Sequence, residues 1–111
     1  MKLEVTFRNL EATEAIRERA EKKLARMTKH LREPVAAHLV LSVQRYRHIA
    51  ELTVSSADGN FHVEEETDDL YATVDQLAQR VERLVQRHHE KASERGPGIK
   101  SLLPEDETAG G

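Results

Sequence analysis

The lysines and arginines are the residues of this chain whose type and spacing could act on a partner, and the chemistry they suit is phosphate binding. On a helical wheel at about 100° per residue, Arg19, Lys22, Lys23, Arg26 and Lys29 fall on one flank of a first helix, with Glu14, Glu18 and Glu21 roughly opposite. In a last helix Arg80, Arg83, Arg87 and Lys91 share one flank, and Asp75 and Glu82 lie well away from them. Between Thr13 and Arg32 seven basic residues face three acidic ones, in a chain whose formal net charge is −3. Basic residues late in a helix complement its dipole, which accounts for either helix taken alone. A solvated surface, however, mixes signs to gain i,i+4 pairs. Two segregated rows of unpaired cations on rigid helices suit the regularly spaced charges of a polyphosphate instead. The rows are expected to converge into one electropositive surface.

Aromatic usage narrows the kind of nucleic acid. Reading single-stranded bases needs exposed rings to stack on. Phe7 and Phe61 are phased with apolar core positions, which leaves only Tyr46 and Tyr71. Binding is therefore expected through backbone and shape, and a folded RNA fits better than a free strand.

Other chemistry is poorly supported. The chain has no cysteine, so it has no disulfide framework, thiolate zinc site or cysteine nucleophile. Of its six histidines, the adjacent His88 and His89 point about 100° apart on a helix. No HExxH run or Cys-His spacing occurs, so no metal or other cofactor is expected; His38 and His62 are the one pair worth checking. Ser55, Ser56 and Asp58 have no histidine at a recognisable triad spacing. The carboxylates of residues 64–69 suit helix capping, and Gly59 stands outside any phosphate-cradling loop. The chain is not expected to be an enzyme.

The elements that must position the cations read clearly. Leu3, Val5 and Phe7 alternate with Lys2, Glu4, Thr6 and Arg8 as in a half-buried strand. Thr13 can cap a helix with Glu14 in its first turn and apolar residues at Ile16, Ala20, Leu24, Met27 and Leu31, ended by Pro34. Alternation returns over residues 35–46 and 49–56. Asp58-Gly59 signals a hairpin, and Phe61 and Val63 mark a fourth strand. Asp68 or Asp69 can cap the last helix, whose apolar stripe is Leu70, Val74, Leu77, Val81, Leu84, Val85 and His88. Residues 96–111, from Gly96-Pro97-Gly98 to the acidic end, read as a flexible tail.

The order β-α-β-β-β-α predicts an α+β fold: a four-stranded mixed sheet with both helices packed on one face. Neighbouring first and second strands would run parallel across the helix between them. His38, Val40, Ser42, Gln44, His62 and Glu64 would line the opposite, mostly solvated face. At 111 residues the chain suits one domain with one modest core. No apolar run reaches the roughly 20 residues needed to cross a bilayer. The N-terminal alternation in place of an apolar leader segment points to the cytoplasm.

Asn9-Leu10-Glu11-Ala12-Thr13-Glu14-Ala15-Ile16-Arg17 resembles the strand-to-helix signature of the bacterial ribosome hibernation factors, once called sigma-54 modulation proteins. Asp69-Leu70-Tyr71-Ala72-Thr73-Val74-Asp75 resembles that family's second signature, opening the last helix. The likeness covers about residues 1–95 and is to the family's short form, without the additional dimerisation domain of the long one. It implies a fold like the double-stranded-RNA-binding domain. It also implies binding in the decoding channel of the small ribosomal subunit, where mRNA and the tRNA anticodon ends would lie. Translation would stop by exclusion while inactive ribosomes are preserved.

Carried over by position, the RNA-contacting residues would be Lys22, Lys23, Arg26 and Lys29 on the first helix. On the last they would be Arg80, Arg83, Arg87, His88 and Lys91, with Arg45 and His48 as weaker candidates. The Asp69 and Tyr71 positions more simply serve as a cap and a packed ring. The partners implied are the small subunit and its ribosomal RNA, with neither DNA nor a membrane, and a chain that is monomeric off the ribosome. A competing class is a homo-oligomeric interaction module pairing through the sheet face around Val40 or through an open strand edge; a further one is a general binder of structured RNA.

Overall fold

Each strand forms where apolar and polar residues alternate, and the apolar row of every strand points to the same side. A computed structural model describes the backbone of residues 1–94 and the side chains of residues 1–89. The expected tail, residues 96–111, and the side chain of Lys91 lie outside the described residues. The elements are β1 (Lys2–Arg8), α1 (Glu14–Leu24), a 3-10 segment (Ala25–His30), β2 (Ala36–Gln44), β3 (Arg47–Ser56), β4 (Gly59–Thr67) and α2 (Leu70–Glu94). The sheet order is β1-β2-β3-β4, with β1 parallel to β2 and the other pairs antiparallel. This is the predicted β-α-β-β-β-α architecture.

The core lies between sheet and helices. Leu39, Leu41, Ala50, Leu52, Val54 and Val63 meet Ile16, Ala20 and Leu24 of α1 and Val74, Leu77, Val81 and Val85 of α2. Leu3, Val5 and Phe7 on the edge strand β1 are only partly buried against it. Burying one apolar side chain is worth roughly 1.5–3 kcal/mol, so this shared layer holds both helices down.

Local details depart from the sequence reading. Thr13 caps α1 as expected, its Oγ1 accepting from the Ile16 N–H at 3.3 Å. The first helix, however, does not run as one α-helix to Leu31. It tightens after Leu24 into the 3-10 segment, where the Thr28 hydroxyl donates to the Ala25 carbonyl at 2.7 Å. Three-residue winding stacks Met27 above Leu24, and both are buried. At the start of α2, hydroxyls replace the expected carboxylate cap. Thr67 Oγ1 accepts from the Asp69 N–H at 3.0 Å and meets Thr73 Oγ1 at 2.6 Å. Leu84 belongs to the predicted apolar stripe of α2 but is 36% exposed. The second hairpin turns through Ala57 and Asp58, one residue earlier than the Asp-Gly signal, and Gly59 opens β4 at φ 146°.

Ion pairs tie the periphery. Arg19 grips Asp75 through two bonds, Nε to Oδ1 at 2.9 Å and Nη2 to Oδ2 at 2.7 Å. Its guanidinium also lies 5.2 Å from the Tyr71 ring centroid. Asp58 accepts from the backbone N–H of Arg32 at 2.9 Å and from its Nε at 3.1 Å. Both aspartates are held below the usual carboxylate range. For Asp75 the main cause is the hydrogen bond from the Arg19 side chain, and for Asp58 it is the bond from the Arg32 backbone. On the outer sheet face Arg47 pairs with Glu66 at 2.7 Å and His62 lies 3.3 Å from Glu51. Val40 and Ile49 are the apolar residues there, each half-buried.

Two stability outcomes follow from this packing. Leu52→Ala should destabilise the fold by about 2–5 kcal/mol in urea unfolding, whereas Leu84→Ala should stay within about 0.5 kcal/mol; equal losses would contradict the assigned core. Asp75→Asn should lower Tm by at most a few degrees at pH 7, because the fork is partly exposed. A carboxylate depressed on folding stabilises above its unfolded pKa and loses that contribution as pH falls through the folded one. The Tm gap between Asp75→Asn and the unsubstituted chain should therefore persist down to about pH 4 and close below it. A gap that widens in acid would contradict the pair.

Candidate nucleic-acid interface

The direction of each cation follows from which flank of its helix is buried and which neighbours it meets. Two contacts align α1 and its 3-10 extension with α2. Arg19 reaches Asp75 near the start of α2, and the His30 ring lies 6.3 Å from the His89 ring near the far end of the described part. Chain numbers rise together in both contacts, so the two segments run side by side in the same direction. Along this layer Lys22, Arg26 and Lys29 are exposed and Lys23 is half-exposed. None of the four pairs with a carboxylate among the described residues.

The cations of α2 divide. Arg83 and Arg87 are exposed and unpaired among the described residues. Arg80, expected to be free, is engaged: its Nη1 donates to Glu65 Oε2 at 2.6 Å and to the Glu64 carbonyl at 3.2 Å. His88 also departs from the expectation of a free contact. It is half-buried, its Nε2 donates to the Asp58 carbonyl at 3.2 Å, and its ring stands edge-on to Phe61 with centroids 5.3 Å apart. That role fixes the end of β4 against α2. Lys91 lies on α2 by its backbone.

The two rows share the helix layer without fusing. Asp75 faces α1, and Arg80, five residues on and so about 140° around the helix, reaches β4 instead. The row that begins at Arg80 therefore leans away from α1, with Arg83 between the two flanks. Asp75 and Glu82, on nearly the same line of α2, form a seam between the rows. Arg19 neutralises the first of these acids. The arrangement is two cationic strips along neighbouring parallel helices, in place of a single continuous patch.

The weaker candidates lie elsewhere. Arg45 is exposed in the two-residue turn between β2 and β3, at φ 59° and beside Tyr46, which is 72% exposed. That turn sits at the beginning of α2, since Thr73 Oγ1 donates to the His48 carbonyl at 3.3 Å. At 1.5 Å per residue it is about 20 Å along the helix from Arg87. His48 shares the inward phase of Ala50 and Leu52, and its Nδ1 is buried without a partner, so it is turned from the helix-layer surface. His38 and His62 are separated by Thr53 on the intervening strand, hence by two strand spacings, about 9–10 Å. Their rings are turned to other partners, His38 to Thr6 and His62 to Thr53 and Glu51, and no cluster of three or more metal-binding side chains occurs among the described residues. Ser56 and Asp58 are used in the hairpin, the Ser56 hydroxyl donating to the Gly59 carbonyl at 2.9 Å.

The sequence reading missed the two pairings that align the helices. Placing Arg19 opposite Asp75, or His30 opposite His89, requires knowing that α1 and α2 are neighbours and parallel. The alternating sign of Arg19 and Asp75 on facing flanks was the only signal available.

Comparison with known proteins places the sequence and the fold in a family. The profile of the Sigma 54 modulation protein / S30EA ribosomal protein family matches residues 3–93. The ribosome hibernation promoting factor of Salmonella typhimurium is 33% identical over 91 residues, covering 82% of this chain and 96% of the relative. Its Escherichia coli K12 counterpart is 31% identical over the same spans. Among solved structures, the N-terminal domain of Thermus thermophilus Protein Y superposes with a TM-score of 0.72 at 39% identity, covering 78% of this chain and 98% of that domain. A ribosomal subunit interface protein from Coxiella burnetii shares the fold at a TM-score of 0.71 and 24% identity, over 82% of this chain and all of that one. With the profile spanning nearly the whole described fold and both signatures on the elements they were read to open, the chain belongs to the Sigma 54 modulation protein / S30EA ribosomal protein family.

Proposed function

We propose that this chain is a ribosome hibernation factor that docks its helix layer on ribosomal RNA in the decoding channel of the small subunit. Bound there it excludes mRNA and tRNA, stops translation and leaves the inactive ribosome intact. The observation that carries this reading is the set of exposed or half-exposed cations with no carboxylate partner among the described residues: Lys22 and Lys23 on α1, Arg26 and Lys29 on its 3-10 extension, and Arg83 and Arg87 on α2. Family membership supplies the ribosome, since the Salmonella and Escherichia coli relatives are named ribosome hibernation promoting factor.

Residues 1–95 form the ribosome-binding unit in this reading, and the cytoplasm is where it works. Lys91, by its place in the sequence, is a further phosphate contact in this reading, and Arg80 joins the strip by exchanging Glu65 for a phosphate. His88 supports the strip from below. The chain acts as a monomer that binds and excludes, with no catalytic step. Val40 and Ile49 make too small an apolar patch on the sheet face to favour self-association there.

Replacing Lys22, Lys23 and Arg26 by glutamate should weaken cosedimentation with small subunits by about tenfold or more at moderate salt, because six units of charge change where phosphates bind. Association of the unsubstituted chain should fall steeply with added salt, and its salt slope should flatten in the triple variant. Equal association of both chains across the salt series would reject the α1 strip as the RNA surface.

A further inference from the structure

Four of the six histidines are occupied or turned inward. His38 Nε2 lies 2.9 Å from Thr6 Oγ1, His62 lies between Thr53 and Glu51, His88 donates to the Asp58 carbonyl, and the Nδ1 of His48 is buried. The remaining two, His30 and His89, come from different elements and meet each other. Their centroids are 6.3 Å apart with the rings tilted by 53°, an open arrangement rather than a stack. His89 is exposed and His30 half-exposed, and neither has a hydrogen-bond partner or a carboxylate among the described side chains. The pair lies where the groove between the 3-10 segment and α2 ends, next in sequence to Lys29 on one side and close to Arg87 on the other.

We infer that His30 and His89 together form a phosphodiester-binding site whose grip depends on protonation, a site that rests on the RNA-binding function proposed above and deepens it. Imidazole is the side chain whose charge ordinarily changes between pH 5 and 8. A phosphodiester oxygen between two imidazolium rings accepts an N–H from each and is held by the charge of both. Binding RNA therefore takes up protons, and affinity rises as pH falls.

The charged surroundings favour the anion. Arg26, Lys29 and Arg32 lie on the side of His30, and Arg87 and His88 on α2. Among the described side chains the acids near this end are Asp58, whose carboxylate is already held by Arg32, Glu33, three residues after His30, and Glu82; Glu90 follows His89 in the sequence. Glu82 is seven residues before His89, about 10 Å along the helix. The two strips are thus joined at this end by a cationic bridge that exists only when the rings are protonated.

The test measures affinity of the full chain for isolated small subunits at pH 6.0 and pH 8.0, at constant ionic strength and magnesium. Each value is compared with that of a His30→Gln/His89→Gln double variant whose fold is checked by circular dichroism. The ratio of the two affinities cancels any titration of the ribosome itself. It should be near one at pH 8.0 and about fivefold or more in favour of the unsubstituted chain at pH 6.0. A His38→Gln/His62→Gln variant should keep the full pH response. A ratio equal at both pH values, or a response lost in the His38/His62 variant instead, overturns the site while leaving the basic strips standing. Failure of the unsubstituted chain to associate at either pH overturns the proposed function and the site together.

Discussion

Burial of a single apolar stripe from each helix against one face of the sheet is the constraint from which the rest of the surface follows. Once Ile16, Ala20 and Leu24 face inward, the flank carrying Lys22, Arg26 and Lys29 has a fixed direction. The same holds for α2 once Val74, Leu77, Val81 and Val85 face inward. Side chains at i, i+3, i+4 and i+7 share a face, so neither row of cations can be moved without unpacking the core. The layer is stiff because its hydrophobic contacts are shared by four strands and both helices. A rigid array of charge loses less conformational entropy on binding than cations on a loop, and here the sheet supplies that rigidity.

Electrostatics then edits the surface that packing lays out. Arg19 and Arg80 sit in the basic rows by sequence, yet each is claimed by a carboxylate of a neighbouring element, Asp75 and Glu65. The two pairs differ in consequence. The Arg19 fork is bidentate and leans on Tyr71, so it aligns α1 with α2 and withdraws one charge from solvent. The Arg80 pair is more exposed on the arginine side, and an exposed pair is worth little in water. A phosphate approaching Arg80 competes with one carboxylate, whereas one approaching Arg19 would have to break a fork. Most of the acidic stretch before α2 lies in β4 itself, with Glu65 turned to Arg80 and Glu66 to Arg47 on the outer sheet face.

Element order, sheet topology, the buried positions of the strands and the Thr13 cap were legible because each rests on local periodicity or a single side chain. Positions governed by competition between alternatives were not. Leu84 carries the stripe's period but lies at the stripe's edge and is exposed, while Val81 and Val85 beside it are fully buried. The helix tightens into a 3-10 segment after Leu24 although Met27 already falls on the α-helical stripe, so the apolar period does not mark the change. His88 and His48 show the same limit at the site. Both types suit RNA contact, but the first is claimed by the Asp58 carbonyl and the second by the inward phase of β3. The row of cations after Thr13 was legible from amphipathicity alone, although Arg19 within it is claimed by Asp75 and its later members fall in the 3-10 segment. Its relation to the row on α2 was not, because the angle between two helices is set by packing that no single helix encodes.

The seam between the rows bears on what kind of nucleic acid this surface can follow. Helix axes in contact lie about 8–10 Å apart, and long arginine and lysine side chains reach outward from both. Strips leaning in different directions from such a pair suit separate stretches of phosphate backbone, while the seam between them, with Asp75 paired to Arg19 and Glu82 unpaired among the described residues, offers phosphate nothing. The two tyrosines add nothing there: Tyr71 lies under Arg19, and Tyr46 caps a turn at the other end of the fold. In the RNA-binding role proposed above, a surface so built discriminates by the spacing of backbones and hardly at all by sequence. The proposed phosphodiester site at His30 and His89 stands between the two strips, one ring from each segment, so in that role the backbone spacing the surface fits is set there by side chains of both.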